Sequence, residues 1–204
     1  MNKKGFTLIE MIAVIVIIGV LLLIAIPSVS SIIFSSRDNG YANDISAYLT
    51  EVNTLYKGKK FGPLLDEKQI MIVPIKDIEF EKNDTKASPY GALDLEKSII
   101  IVERTQYGNK LYASIIDSTN RGVFELESDK LTATSIEMTD QSLYTSVLDY
   151  FKCGTGTKKD YFEVKPLTFN FRGKVYTAIA TRNYNKIKCS TTPSYYPLIV
   201  LETN

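Results

Sequence analysis

The chain has 204 residues, enough for one self-sufficient domain, with 24 Lys and Arg against 23 Asp and Glu, a net charge of +1 and no His. That balance argues against a dedicated nucleic-acid surface, which shows as a clear basic excess. Without His, and with Cys153 and Cys189 as its two cysteines, the chain lacks a zinc ligand set and the usual near-neutral acid–base group, so no enzyme is suggested and no metal or other cofactor is expected.

The N-terminus reads Met1-Asn2-Lys3-Lys4-Gly5, then Phe6-Thr7-Leu8-Ile9-Glu10, and from Met11 to Ile26 sixteen consecutive positions are apolar or glycine. After Ser28 the composition is that of an ordinary soluble protein. Lys3 and Lys4 ahead of the apolar run place the N-terminus in the cytoplasm by the positive-inside rule. Phe6 to Ile26 is 21 residues, a helix of about 32 Å that matches a hydrocarbon core of about 30 Å. A secretory signal would have a shorter apolar region and a small-x-small cleavage site, and Ala25-Ile26-Pro27 is a poor site because of its proline. A generic signal anchor accounts for the lysines and the apolar run, but gives no reason for Glu10.

An ionised carboxylate in a membrane helix costs a few kcal/mol, about 2.5–3.5 at mid-membrane and less near the edge. Phe6 lies four residues earlier, on the same helix face. A cut between Gly5 and Phe6 would give Phe6 an α-amino group, positive at neutral pH. Glu10 would then have a partner, in its own chain or in a neighbour, and burial of both charges would accompany subunit association.

Gly5-Phe6-Thr7-Leu8-Ile9-Glu10 followed by an apolar helix resembles the class III signal of type IV prepilins. The resemblance implies that a prepilin peptidase cuts after Gly5 and methylates the Phe6 amine. It further implies that Glu10 neutralises a neighbour's amine during assembly. The five-residue basic leader fits the family's shorter-leader branch, and Gly19 and Pro27 fall where the family has its helix-weakening glycine and proline. Physically, Pro27 removes a helical donor and clashes with the Leu23 carbonyl, while Gly19 weakens a helix by roughly 1 kcal/mol relative to Ala. A kinked membrane helix explains both residues; the family implies instead that Gly19 to Pro27 unwinds inside a filament.

Beyond Pro27, Tyr41, Ile45, Tyr48, Leu49, Val52, Leu55 and Tyr56 recur at helical spacing, predicting one helix from Phe6 to about Tyr56 whose second half packs on a sheet. Lys57-Gly58-Lys59-Lys60-Phe61-Gly62-Pro63 ends it. Strands are predicted at Gln69–Val73, Ser98–Arg104, Lys110–Asp117, Val123–Leu126 and Lys130–Thr134, forming an antiparallel meander with turns at Tyr107-Gly108-Asn109 and Thr119–Gly122. A short helix is expected at Thr139–Phe151, then strands at Leu167–Arg172, Lys174–Thr181 and Leu198–Leu201. The fold class is α+β, a long helix on an antiparallel, pilin-like head. Its parts are a leader (1–5), a membrane or filament-core helix (6–27), an amphipathic continuation (28–57) and a β-rich head (58–204).

If the head lies outside the cytoplasmic membrane, Cys153 and Cys189 are in a disulfide-permissive compartment. A bridge would close a 37-residue loop and contribute roughly 3.8 kcal/mol in the chain-entropy model. Two unpaired buried thiols are the alternative, and the resemblance points to the bridge. Gly154-Thr155-Gly156-Thr157-Lys158-Lys159 lacks phosphate-loop spacing and reads as a surface turn. Lys57, Lys59 and Lys60 read as a solvated helix end, and a nucleic-acid partner is left open. Tyr195 and Tyr196 read as sheet-edge packing, with a subunit-contacting or adhesive surface as the other reading.

Together these features predict a structural subunit held in the cytoplasmic (inner) membrane by a single pass, head outside, then polymerised into an extracellular filament for adhesion, motility or DNA uptake. The expected partners are copies of itself, other pilins, the prepilin peptidase, the membrane and, indirectly, an assembly platform protein and its ATPase. The alternatives are a pseudopilin of a type II secretion system and a minor pilin acting as an adhesin or binding module.

Overall fold

Thr7 begins the helix. In the computed structural model, which describes residues 7–78, 86–146, 151–153, 162–164, 168–182 and 198–203, its side chain and Glu10 form a reciprocal capping box at the start of α1, Leu8–Lys57. The 50 residues of α1 correspond to roughly 75 Å of helix. Its end falls where the Lys57-Gly58-Lys59-Lys60 run predicts, with Gly58 donating to the Thr54 carbonyl at 2.9 Å. The residue that turns left-handed there is Lys59, at φ 56°, and not Gly58.

The strands are β1 (Gln69–Pro74), β2 (Ile99–Thr105), β3 (Gly108–Ile116), β4 (Arg121–Glu127), β5 (Glu137–Met138), β6 (Phe151–Cys153), β7 (Phe162–Val164), β8 (Thr168–Phe171), β9 (Lys174–Arg182) and β10 (Leu198–Thr203). Eight of them form one sheet in the order β5-β4-β3-β2-β1-β10-β9-β8, with β6 and β7 paired separately. Every strand pairing among the described residues is antiparallel. Strands β1 to β4 are the first four strands of the expected meander, and β5 pairs beyond them at a position where the sequence predicts no strand. The last strand inserts beside β1, so the C-terminal strands extend the sheet from its first strand.

One sheet face packs on the second half of α1. Tyr41, Ile45, Tyr48, Leu49, Val52 and Tyr56 are buried against Met71, Val73, Ile100, Val102, Ala113 and Ile115, and the period-two alternation of the strands sends these side chains to the helix. Their neighbours Ile70, Ile72, Ile99, Ile101 and Tyr112 point the other way, into a second cluster with Phe171 and Tyr176. Thus β1 is buried along its full length.

The second cluster exists because the sheet rolls. Although β8 and β3 are far apart in strand order, the rings of Phe171 and Tyr112 meet edge to face at 5.0 Å. The Arg172 guanidinium lies 4.8 Å over the Tyr112 ring and Arg172 Nη1 donates to Glu127 at 3.3 Å. Arg172 and Gly173 form the β8–β9 hairpin turn, both at positive φ, 50° and 75°, as a tight two-residue turn requires.

Glu127 also accepts from Lys110 and lies 3.9 Å from Lys130 Nζ. The Lys110 bond, then that of Arg172, holds its carboxyl below the usual carboxylate range. A depressed carboxylate contributes stability that is full above its unfolded value of 4.5 and is lost as pH falls through the folded value below it. Glu127→Gln is therefore expected to lower the melting temperature at pH 7, and the gap from the unsubstituted chain should close in acid below pH 4.5. A gap that persists at pH 2–3 would assign the loss to packing and not to charge.

Two sequence expectations are corrected. Lys130–Thr134 is not a strand: Ser128–Lys130 and Ala133–Ser135 are single 3-10 turns, and pairing resumes only at β5. The hydroxyls there bond locally, Ser135 Oγ to the Lys130 carbonyl at 3.1 Å and Thr132 N–H to Ser135 Oγ at 3.3 Å, in competition with a strand ladder. The helix expected at Thr139–Phe151 is, as far as residue 146, one 3-10 turn, Gln141–Leu143. Asp140 caps that turn by accepting from Ser142 N–H at 2.8 Å, and Tyr144 draws the chain inward by donating to the Val123 carbonyl at 2.8 Å. Residues 147–150 lie outside the described residues, and Phe151 opens β6.

Candidate functional site

Thr7 to Arg37 contains no buried residue, although it carries most of the chain's continuous apolar sequence. Exposure is 80% at Leu8, 59% at Leu21 and 49% at Phe34, so no single face is covered. A soluble core helix would bury such a segment. This one is long and apolar enough to cross a membrane, and none of its most apolar stretch is buried within the chain.

At its outer end, Thr7 N–H and Thr7 Oγ1 each donate to Glu10 Oε2 at 2.8 Å, and Glu10 N–H donates to Thr7 Oγ1 at 3.3 Å. The carboxylate is thus turned towards the N-terminus of its own helix, where the macrodipole favours negative charge. Both side-chain bonds fall on Oε2; Oε1 meets no donor among the described residues. Gly5 and Phe6, the expected cleavage and methylation positions, lie outside the described residues, as does the rest of the leader.

α1 runs through Gly19 and Pro27 without a break. Proline leaves the Leu23 carbonyl without its helical donor, and just beyond it serine hydroxyls bond back to the backbone: Ser28 to the Ile24 carbonyl at 3.4 Å, Ser30 to that of Ile26 at 3.0 Å. At Gly19 a Cβ would meet nothing within 4 Å. Gly19→Ala is therefore expected to stabilise the helix locally by about 1 kcal/mol, read as slower amide exchange around position 19 in micelles. Exchange that is unchanged or faster would show that Gly19 does not weaken the helix.

Where the exposed half meets the head, one side-chain group fixes the direction of the spine. Tyr90 donates to Asp38 Oδ1 at 2.7 Å, and Arg121 Nη1 donates to the same oxygen at 3.2 Å. The Arg121 guanidinium also stacks 4.6 Å from the Tyr90 ring centroid, and Tyr41 donates to the Arg121 carbonyl at 3.3 Å. Sequence reasoning missed this neck, because its members come from three distant stretches. It also missed the Thr7 cap, although Thr-x-x-Glu ahead of an apolar run is a legible capping signal.

Cys153 ends β6; its side chain, like the whole of Cys189, lies outside the described residues. The structure therefore does not bring the two together or separate them.

Residues 1–26 match the family model of the prokaryotic N-terminal methylation motif. Over 62 residues the chain is 42% identical to the ComG operon protein 3 homolog of Bacillus licheniformis, an alignment covering 29% of this chain and 64% of that protein. No solved structure matches the chain. The methylation motif sits on the segment whose helix start, exposed apolar surface and terminal carboxylate are described above, so residues 1–26 carry the signal found on type IV pilins.

Proposed function

We propose that the chain is a structural filament subunit and not an enzyme. It is inserted with its N-terminus inside, cleaved after Gly5, methylated at Phe6, and polymerised with copies of itself or other pilins through α1. The observation that carries this reading is the uncovered apolar helix from Leu8 to Phe34 with a single carboxylate, Glu10, at its end. Covering that surface requires lipid before assembly and neighbouring helices after it. Glu10 meets the Phe6 amine of an adjacent subunit as the helices bundle, with Oε1 as the open acceptor. Gly19 to Pro27 is the stretch that can unwind in the polymer. Assembly force comes from partner proteins, an assembly platform and its ATPase. In the filament, the head is extracellular, where the Cys153–Cys189 bridge closes its C-terminal region and the filament serves adhesion, motility or DNA uptake.

The test is intact-protein mass spectrometry on filaments sheared from the native cell surface. The expected species begins at methylated Phe6 and is lighter by two hydrogen atoms when Cys153 and Cys189 are bridged. Trace amounts of that species among other pilins would make it a minor subunit. Cleaved protein confined to the envelope would favour a pseudopilin of a secretion system. Protein that keeps Met1 to Gly5 would sink the reading.

A further inference from the structure

Between β3 and β4 the register slips. Ala113 pairs with Leu126 and Ile115 with Val123, so Phe124 and Glu125 together oppose Ser114. A bulge of this kind breaks the alternation of side chains and re-aims a residue that a regular strand would send elsewhere. Glu125 takes φ 45°, a left-handed conformation that a non-glycine residue keeps only where its surroundings enforce it and that clusters at functional sites. Its N–H donates to Ser114 Oγ at 3.0 Å, which fixes the slip.

Phe124 and Glu125 of the bulge line a cavity of about 250 Å³ together with Phe169 and Asn170 of β8. The Phe124 ring is set edge-on to Tyr144, centroids 5.3 Å apart and planes at 74°. Tyr144 is itself anchored by its hydroxyl. Burial raises the Glu125 carboxyl above the usual carboxylate range, against the opposing hydrogen bond it accepts from the Arg172 backbone N–H, which leaves its remaining acceptor sites for a ligand. A concave site with aromatic walls and a few convergent polar groups has the make-up of a small-molecule pocket, and nothing in filament assembly through α1 uses it.

We propose that this cavity binds a single pyranose sugar residue, with the Phe124 ring against the C–H face and Glu125 and Asn170 on the hydroxyls. A pyranose has one apolar face and a rim of groups that both donate and accept. Its complement is an aromatic surface beside an acceptor-only carboxylate and an amide that does both. Pockets for drug-sized ligands run to about 300–1,000 Å³, so this cavity holds one ring and not an oligosaccharide. An ammonium ligand would be drawn to Glu125 and the rings but opposed by Lys97, which also lines the cavity. An anionic ligand would be opposed by Glu125.

The full-length chain, held in a zwitterionic detergent without a sugar headgroup, is examined by saturation-transfer NMR. The probes are glucose, galactose, mannose and N-acetylglucosamine, with butylammonium as the cationic control. Transfer to ring protons of at least one sugar is expected, reduced about fivefold or more in both Glu125→Gln and Asn170→Ala, as loss of one hydrogen bond at a binding site implies. Asn170 is exposed on β8, so Asn170→Ala decides alone if circular dichroism shows that Glu125→Gln fails to fold. Transfer to none of the sugars, transfer to butylammonium alone, or undiminished transfer in a folded variant overturns the proposal.

Discussion

Glu10→Ala is expected to leave membrane insertion and cleavage after Gly5 intact while cutting incorporation into filaments about a hundredfold or more. The apolar helix cannot by itself drive subunits together, because lipid tails are as apolar as the Ile and Leu side chains they would release. What distinguishes a neighbouring subunit from lipid is the charge at the helix end. Removing one partner of a buried ion pair costs about 3–5 kcal/mol, and each 1.4 kcal/mol is a factor of about ten. Thr7→Val removes the hydroxyl bond to Glu10 Oε2 but keeps the N–H bond, so its loss should be about tenfold or less, the worth of one charge-assisted hydrogen bond. The readout is the ratio of mature subunit in sheared filaments to mature subunit in the envelope. Normal incorporation of Glu10→Ala removes Glu10 from the mechanism. Accumulation of uncleaved protein would instead move its role to recognition by the peptidase.

The spine was legible in the sequence for two separate reasons. The run from Met11 to Ile26 marks its uncovered half, and the spacing from Tyr41 to Tyr56 marks the half that the sheet covers. Strands β2, β3 and β9 were legible because each is a local apolar run between turn residues. The position of β10 was not, since its place between β1 and β9 is set by pairing Gln69 with Glu202 and Leu198 with Arg182, which no local pattern encodes. The stretch around Thr132 reads as a strand by composition, and its hydroxyls decide otherwise by bonding to their own backbone. At the N-terminus, the motif singles out Gly5, Phe6 and Glu10 as candidates, of which the structure describes Glu10, while the neck of Asp38, Tyr90 and Arg121 emerges only once the helix docks. The ion-pair cluster is similar: Arg172 and Glu127 lie 45 residues apart in the chain and meet because the sheet rolls.

The head's most sensitive single position is expected to be Gly122, and Gly122→Ala should destabilise it by more than about 4 kcal/mol, at the extreme of what single substitutions do. Gly122 pairs with Ile116 where β4 begins, immediately before the bulge. A Cβ there would sit 1.9 Å from the Ile115 carbonyl oxygen and 2.9 Å from both the Ile115 carbonyl carbon and the Ile116 Cα. All three are backbone atoms of the neighbouring strand, so relief requires β3 and β4 to part, with loss of ladder bonds and of the packing of Ile115 and Val123 against α1. Gly91→Ala is the control. Its Cβ would approach Ser118 Oγ at 2.5 Å, but a serine hydroxyl can rotate away, so the cost should stay within about 1–2 kcal/mol, the ordinary range. Urea denaturation of the two variants in micelles, followed by far-ultraviolet circular dichroism, separates them by midpoint. Similar midpoints would mean that the β3–β4 pairing yields at the bulge, and that the backbone at Gly122 is not the rigid contact its geometry implies.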